Sequence, residues 1–238
     1  AESLYRLFVK GECHVTNAQT AELVKLTENA YRDTNIAFAN EISLVCDKLD
    51  IDVWDLIKLA NRHPRVDILK PGPGVGGHCI AIDPWFIVDA APEETPLIQA
   101  SRHVNDNKPA WIVQKILNSV DDNTTVACLG LTYKSDIDDL RESPSIKIVE
   151  RLSQHHKGQI LVADPNIKSL PDKLCKILNI EFCNFEDAIS RSRIIILLTD
   201  HREFIEIDKS ILNNKKVFDT RGIWRNFLPS TNLESIGD

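Results

Sequence analysis

The chain has 238 residues, 43% hydrophobic and 26% charged, with a formal net charge of −7. That length carries one large or two ordinary cores, the composition excludes a disordered chain, and the acidic balance excludes general electrostatic binding of nucleic acid. No apolar run approaches the roughly 18 residues that cross a bilayer, and the start A-E-S-L-Y-R-L-F-V-K lacks an apolar leader core, so no membrane partner and a cytoplasmic location are expected.

The first predicted element is a long helix opening at Thr20, a candidate N-cap, and free of Gly and Pro as far as Cys46. Leu23, Leu26, Ala30, Ala37 and Leu44 keep helical spacing along it. A shorter helix is predicted over Val53–Asn61, ended by Pro64. The stretch P-G-P-G-V-G-G-H-C-I-A-I-D-P follows at 71–84, and then a helix from Pro96 to about Val120 in which Pro109 predicts a kink or a fresh start.

From Thr124 the pattern changes to strands separated by helices. Strands are predicted at Thr125–Leu129, Gln159–Ala163, Arg193–Thr199 and Lys216–Asp219. Ser143-Pro144 caps a helix after the first, and E-D-A-I-S-R-S is helical between the second and third. This alternation predicts a parallel α/β sheet whose ligands sit beyond the carboxyl ends of its strands. No G-x-G-x-x-G follows a predicted strand and opens a helix, so a standard dinucleotide fingerprint is absent. The expected organisation is a remnant of a preceding domain at 1–19, a helical domain at 20–120 and a Rossmann-like domain at 121–238. The fold class is α/β, with the all-α part preceding the sheet.

Six cysteines form no C-x-x-C pair and no metal-ligand spacing with His, so no metal is expected. Cys46 and Cys128 lie in apolar runs and read as small buried hydrophobes. Cys79 follows four glycines, which permit either a tight turn or close approach of a ligand to a nucleophile. Asp83 fits two roles, orienting a water or lysine, or capping the helix that Pro84 begins. Lys25, Asn29 and Arg32 share one helical face, a solvated stripe or a polar substrate site. His63 and Arg65 precede the glycine loop. Tyr133, Lys134, Arg141 and Arg221 lie after the first and fourth strands, where an anionic nucleotide would meet them.

Taken in order, K-L-T-E-N-A-Y-R, N-R-H-P-R-V, the glycine–cysteine stretch, L-T-Y-K-S-D-I-D-D-L-R-E-S-P and F-D-T-R-G resemble the UDP-glucose/GDP-mannose dehydrogenase family over essentially the whole chain. The resemblance implies an NAD-dependent four-electron oxidation of a nucleotide-sugar alcohol to a carboxylate. It gives Cys79 the thiohemiacetal and thioester, Lys25 an acid/base or oxyanion role with Asn29 beside it, and Asp83 the base or water. It assigns Arg32, His63, Arg65, Gly76, Tyr133, Lys134 and Arg221 to the UDP-sugar and Arg141 to NAD, with a homodimer built on the helical domain. Ile82 stands where UDP-glucose enzymes of the family have lysine, which favours UDP-N-acetyl-D-mannosamine over UDP-glucose or UDP-N-acetylglucosamine. The family's NAD fingerprint domain has no counterpart here, so the chain alone is expected to bind UDP and dimerise without oxidising a sugar. A non-catalytic UDP-binding dimerisation module is the competing expectation.

Overall fold

The computed structural model describes residues 2–228 and 233–235. After a single turn, α1 (Glu2–Tyr5), comes α2 (Ala18–Leu49), followed by α3 (Val53–Ala60), α4 (Asp83–Ala90) and α5 (Pro96–Ser119). The long helix opens two residues before the predicted cap: Asn17, not Thr20, is the N-cap, and its side chain accepts from the Thr20 N–H at 2.8 Å. Helix α5 runs through Pro109 as one helix, so of the two expected outcomes the fresh start does not occur. The proline forfeits the hydrogen bond to the Asn105 carbonyl. Packing on both sides compensates, because Ser101, Arg102, Asn105, Ile112, Val113 and Ile116 are all buried.

The remaining helices are α6 (Pro144–His155), α7 (Asp172–Cys175), α8 (Phe185–Arg191) and α9 (Arg202–Glu206). They alternate with β1 (Val126–Leu129), β2 (Ile160–Ala163), β3 (Ile180–Phe182), β4 (Ile194–Leu197), β5 (Lys216–Asp219) and β6 (Leu233–Ser235). The sheet is parallel, in the order β3-β2-β1-β4-β5-β6, so the chain reverses its direction of growth between β1 and β4. Two strands beyond the predicted four extend its edges. Both are only three residues long, and β3 is half-buried with Glu181 at its centre, so neither reads as a fully buried apolar run.

Alternate residues of the central strands feed two cores, as a sheet covered on both faces requires. Val126, Cys128, Ile160, Val162, Ile194 and Ile196 meet Ile112 and Ile116 of α5 and Ile148 and Leu152 of α6. Ala127, Leu129, Leu161, Ile195, Leu197 and Val217 meet Ala188, Ile189, Phe204 and Trp224. Cys128, fully buried there, has its thiol pushed up to about 12 by burial, and Cys46 is equally inaccessible, so both are the inert hydrophobes their context suggested.

Helix α5 belongs to both halves: its C-terminal turns cover the sheet and its N-terminal turns pack on α2. A second clasp comes from Arg225, which pairs with Asp52 (3.0 Å) and Asp55 (2.7 Å) at the start of α3, while Gly222 lies against the Trp54 ring. These contacts hold the helical half beside the carboxyl ends of β4 and β5.

Helix α2 is dressed in an unusual way. Its inward face carries Asn29, Asp33, Asn40 and Ser43, all buried, among small residues such as Ala30 and Ala37. Its outward face carries Val24, Tyr31, Phe38 and Val45, one every seven residues and each about half exposed or more. Of the apolar positions in the predicted stripe, Ala30 and Ala37 point inward, whereas Leu23 is exposed.

Candidate active site around Cys79

The glycine loop crosses the seam between the halves, and its conformation depends on the absence of side chains. A Cβ on Gly76 would lie 2.6 Å from the Tyr133 Cβ and 2.8 Å from the Glu142 carbonyl oxygen. Gly77 adopts φ of 82°, faces the Tyr133 ring, and donates its N–H to the Arg141 carbonyl at 3.0 Å. Only glycine accepts that dihedral and that proximity together. Gly72 in turn runs so close to the Arg221 guanidinium that a Cβ there would collide with it. The loop therefore threads between Tyr133, Arg141 and Arg221, three residues from after β1 and β5.

Cys79 emerges from this loop half-buried. Its carbonyl accepts the N–H groups of Ile82 (3.0 Å) and Asp83 (2.8 Å), which closes one backbone turn between Cys79 and Asp83. Asp83 is the first residue of α4; Ile82, not Asp83, occupies the cap position. That leaves the Asp83 carboxylate to receive the buried Asn29 amide at 2.6 Å. Asn29, Asp83 and Cys79 are thus tied together through α2 and α4.

The nucleotide edge is equally ordered. Arg221 Nε donates to Asp200 at 2.8 Å, and Ser135 donates to the same oxygen at 3.0 Å. Burial pushes the Asp200 carboxyl up, but Arg221 and the hydrogen bonds hold it below its ordinary value. The buried carboxylate of Asp219 accepts the N–H groups of Arg221, Gly222 and Trp224, between 2.7 and 2.9 Å, shaping the turn that presents Arg221. Arg141 is exposed and grips Asp139 through three hydrogen bonds, which lower the Asp139 carboxyl to about 2.

Other predicted residues lie further out. Lys25 is exposed and pairs with Glu28 at 3.3 Å; Arg32 and Lys134 are exposed on their own segments. His63 and Arg65 sit in the exposed turn after α3, where His63 Nδ1 accepts the Arg65 N–H at 3.3 Å. The lysine–asparagine–arginine stripe is therefore divided: its middle residue reaches Asp83, and the two cations flank it in solvent.

The sheet offers NAD no cradle of its own. Asp164, at the end of β2 where a dinucleotide fold presents a carboxylate to a ribose, is buried. It is saturated by the N–H groups of Leu131 (2.7 Å), Thr132 (3.1 Å) and Asn166 (2.9 Å), with His201 at 3.2 Å. A cavity of about 420 Å³ beside it, lined by Ile167, Phe182 and Phe185 among others, includes none of the residues gathered near Cys79. Among the described residues no helix is long and apolar enough to cross a membrane.

The local signal missed residues that hold the site from behind. Asn40, Asn105, Asp33 and Arg102 are buried and bonded to one another between α2 and α5. Their spacing on α2, with Asn29 and Ser43, is a helical polar stripe that the apolar periodicity overshadowed.

Two family profiles match the chain: the central domain of the UDP-glucose/GDP-mannose dehydrogenase family over residues 19–107, and the UDP-binding domain of that family over 127–226. The chain is 58% identical over 206 residues to a UDP-N-acetyl-D-mannosamine dehydrogenase of Campylobacter jejuni, covering 86% of itself and 51% of that protein. It is 54% identical over 226 residues to an NDP-N-acetyl-D-galactosaminuronic acid dehydrogenase of Ralstonia nicotianae, covering 94% of itself and 53% of the relative. Among solved structures, the UDP-N-acetyl-mannosamine dehydrogenase of Staphylococcus aureus superposes with a TM-score of 0.82 at 39% identity, over 99% of this chain and 56% of that one. The chain thus spans about half the length of the curated relatives it matches. With both profiles matched in order and the glycine–cysteine loop lodged between the two halves, the chain belongs to the UDP-glucose/GDP-mannose dehydrogenase family.

Proposed function

We propose that the chain provides the thiol and the UDP-sugar edge of a cytoplasmic NAD-dependent dehydrogenase that oxidises C6 of UDP-N-acetyl-D-mannosamine to the carboxylate, for surface polysaccharide synthesis. The observation that carries this reading is the lodging of the Cys79 loop against Tyr133, Arg141 and Arg221. In this reading residues 20–120 form the helical domain and 121–238 the UDP-sugar domain.

Arg221, with Tyr133 and Lys134, receives the diphosphate end, since a guanidinium matches phosphate oxygens through paired donors. That places the sugar toward Cys79. The Cys79 sulfur bonds to the C6 carbon of an aldehyde, its proton passing to the carbonyl oxygen, and a thiohemiacetal results. Bound nicotinamide supplies the hydride acceptor that makes oxidation of such groups possible, and of the expected contacts only Arg141 belongs to this chain. A thioester at Cys79 is then open to water. Attack at its carbonyl carbon breaks the carbon–sulfur bond, returns the thiol and leaves the carboxylate. Asp83, held by Asn29, is the carboxylate one turn away that orients the water and takes its proton. Lys25 keeps the acid/base or oxyanion role beside Asn29, and Arg32, His63 and Arg65 meet the UDP-sugar, part of this arginine-bearing segment across the dimer interface; all four are exposed.

Titration calorimetry tests the nucleotide edge. UDP is expected to bind the chain, and Arg221→Ala to weaken it about tenfold, the loss of one charge-assisted phosphate contact. An Arg221→Ala chain that binds within twofold of the native one sinks this assignment. Product chromatography with UDP-N-acetylmannosamine, UDP-N-acetylgalactosamine, UDP-N-acetylglucosamine and UDP-glucose, on a coenzyme-competent form, decides the sugar. The Ralstonia relative makes the galacto configuration the second candidate.

We propose a homodimer formed through the outward face of α2. Val24, Tyr31, Phe38 and Val45 recur every seven residues, the repeat that a second copy of the same helix covers by supercoiling against it. Light scattering is expected to give a dimer for the chain and a monomer for Phe38→Glu. A native chain that is monomeric at tens of micromolar overturns the assignment.

A further inference from the structure

The loop that carries Cys79 is pinned at its entry by two asparagines that lie outside every motif above. Gly72 donates its N–H to Asn40 Oδ1 at 2.9 Å. Asn40 Nδ2 donates to Asn105 Oδ1 at 2.9 Å, although 65 residues separate them. Asn105 Nδ2 donates in turn to the Asp33 carboxylate at 2.8 Å and to its carbonyl at 3.0 Å, and Arg102 closes on that carboxylate at 2.6 Å. Asn40, Asn105, Asp33 and Arg102 are each at most 1% exposed.

The relay has one direction. A flipped Asn40 amide would face its NH₂ to the Gly72 N–H and its carbonyl to the Asn105 carbonyl, two repulsive contacts in place of two hydrogen bonds. A flipped Asn105 would set a carbonyl against the Asp33 carboxylate. The carboxylate and guanidinium at one end therefore dictate an acceptor at the other, where the loop backbone supplies the N–H. The backbone carbonyl of the same asparagine also lies against the loop. Pro109 has no N–H to give to the Asn105 carbonyl four residues back. That oxygen instead faces Gly74, where a Cβ would lie 3.2 Å from it and 3.4 Å from the Pro109 ring. A helix interior normally rejects proline; here the residue opens a polar seat for the loop.

We propose that Asn40 and Asn105 are positioning residues for the Cys79 loop, fixing its entry at Gly72 through a buried, one-directional amide relay anchored on Asp33. The inference rests on the reading of Cys79 as the reacting thiol. Neither asparagine touches substrate; each acts through the height and angle at which the loop leaves the α2–α5 seam.

The test compares Asn40→Ala and Asn105→Ala with Ser43→Ala. Ser43 lies in the same seam, accepts from Lys108 and donates to the Asn40 backbone carbonyl, but has no hydrogen bond to the loop among the described residues. Two readouts are taken on the 238-residue chain: deuterium exchange of the 70–77 backbone, and the rate of iodoacetamide alkylation of Cys79 counted on its own peptide by mass spectrometry. Either asparagine variant is expected to speed both about fivefold or more, because unpinning raises the open population of the loop. Ser43→Ala is expected to leave both within twofold while lowering the melting temperature comparably. Equal effects of all three variants, or asparagine variants within twofold of the native chain, overturn the proposal. Should neither asparagine variant fold, the native chain still decides. The Gly72 amide must exchange as slowly as the core of α2, and rapid exchange there sinks the idea. Turnover enters none of these readouts, so a failure of the proposed oxidation leaves them standing.

Discussion

Cys79→Ala is expected to cut formation of the sugar carboxylate about a thousandfold or more, the scale on which loss of a covalent nucleophile is felt. The measurement joins this chain to the amino-terminal half of its Campylobacter jejuni relative, which supplies the length the chain lacks beside it. Product is followed by mass spectrometry rather than by coenzyme reduction alone, because the two oxidation steps separate. In the proposed reading the alanine variant still positions the alcohol through Arg221 and the Tyr133 loop, so the aldehyde stage is expected to remain open to it. What it lacks is the carbon–sulfur bond that turns an aldehyde into a species water can finish. Aldehyde without carboxylate is the expected pattern. Carboxylate at more than a tenth of the native rate means that hydration of the aldehyde, not Cys79, carries the second stage.

The second large effect concerns Lys108. It is buried, donates to Ser43, and lies over the Trp111 ring at 4.3 Å, with Asp47 and Lys115 as the charged groups facing it. Burial is the main reason its ammonium is brought down to about 7, partly opposed by Asp47 and reinforced by Lys115. The sign follows from proton counting. Between about pH 7 and the ordinary lysine value near 10.4, the unfolded chain holds a proton that the folded chain has released, so stability rises with pH across that window. From pH 7 to 9 the native chain is expected to gain about 2 kcal/mol relative to Lys108→Met, roughly 1.4 kcal/mol per pH unit with the first only partly developed. Urea denaturation of both proteins at the two pH values measures it. A native chain whose stability runs parallel to that of the methionine variant shows that Lys108 stays charged in the seam.

Much of the architecture was legible because the signals were local. Ser143-Pro144, the apolar runs of β1, β2 and β4, and the punctuation at Asp164-Pro165 place the sheet without reference to distant residues. The short edge strand β3 was not, since Ile180-Glu181-Phe182 gains its identity from pairing with Ile160–Val162 rather than from its own composition. Pro109 misled for a related reason: a helix breaker in isolation is tolerated when the orphaned carbonyl faces a glycine and both flanks are packed. In the site, Cys79, Asp83 and Arg221 stood out by their neighbours in sequence. Asn40 and Asn105 did not, because an asparagine within a long helix has no local signature. Its meaning arises only when two helices 65 residues apart are laid side by side. Arg102 and Asp33, likewise, carry no local mark of their burial, which comes only from the packing of α5 on α2.

The inverted dressing of α2 reaches into the calorimetry of the chain. Unfolding raises heat capacity in proportion to the apolar surface newly hydrated, roughly 3 kcal/mol/K for an ordinary chain of this length. In a lone copy, Val24, Tyr31, Phe38 and Val45 are already wet before melting begins, and the inner face releases, beside small residues such as Ala30 and Ala37, amides, a hydroxyl and a carboxylate, whose hydration lowers heat capacity. The long helix thus adds little to the curvature of the stability curve by itself. The proposed self-association would restore that curvature and tie the melting temperature to protein concentration.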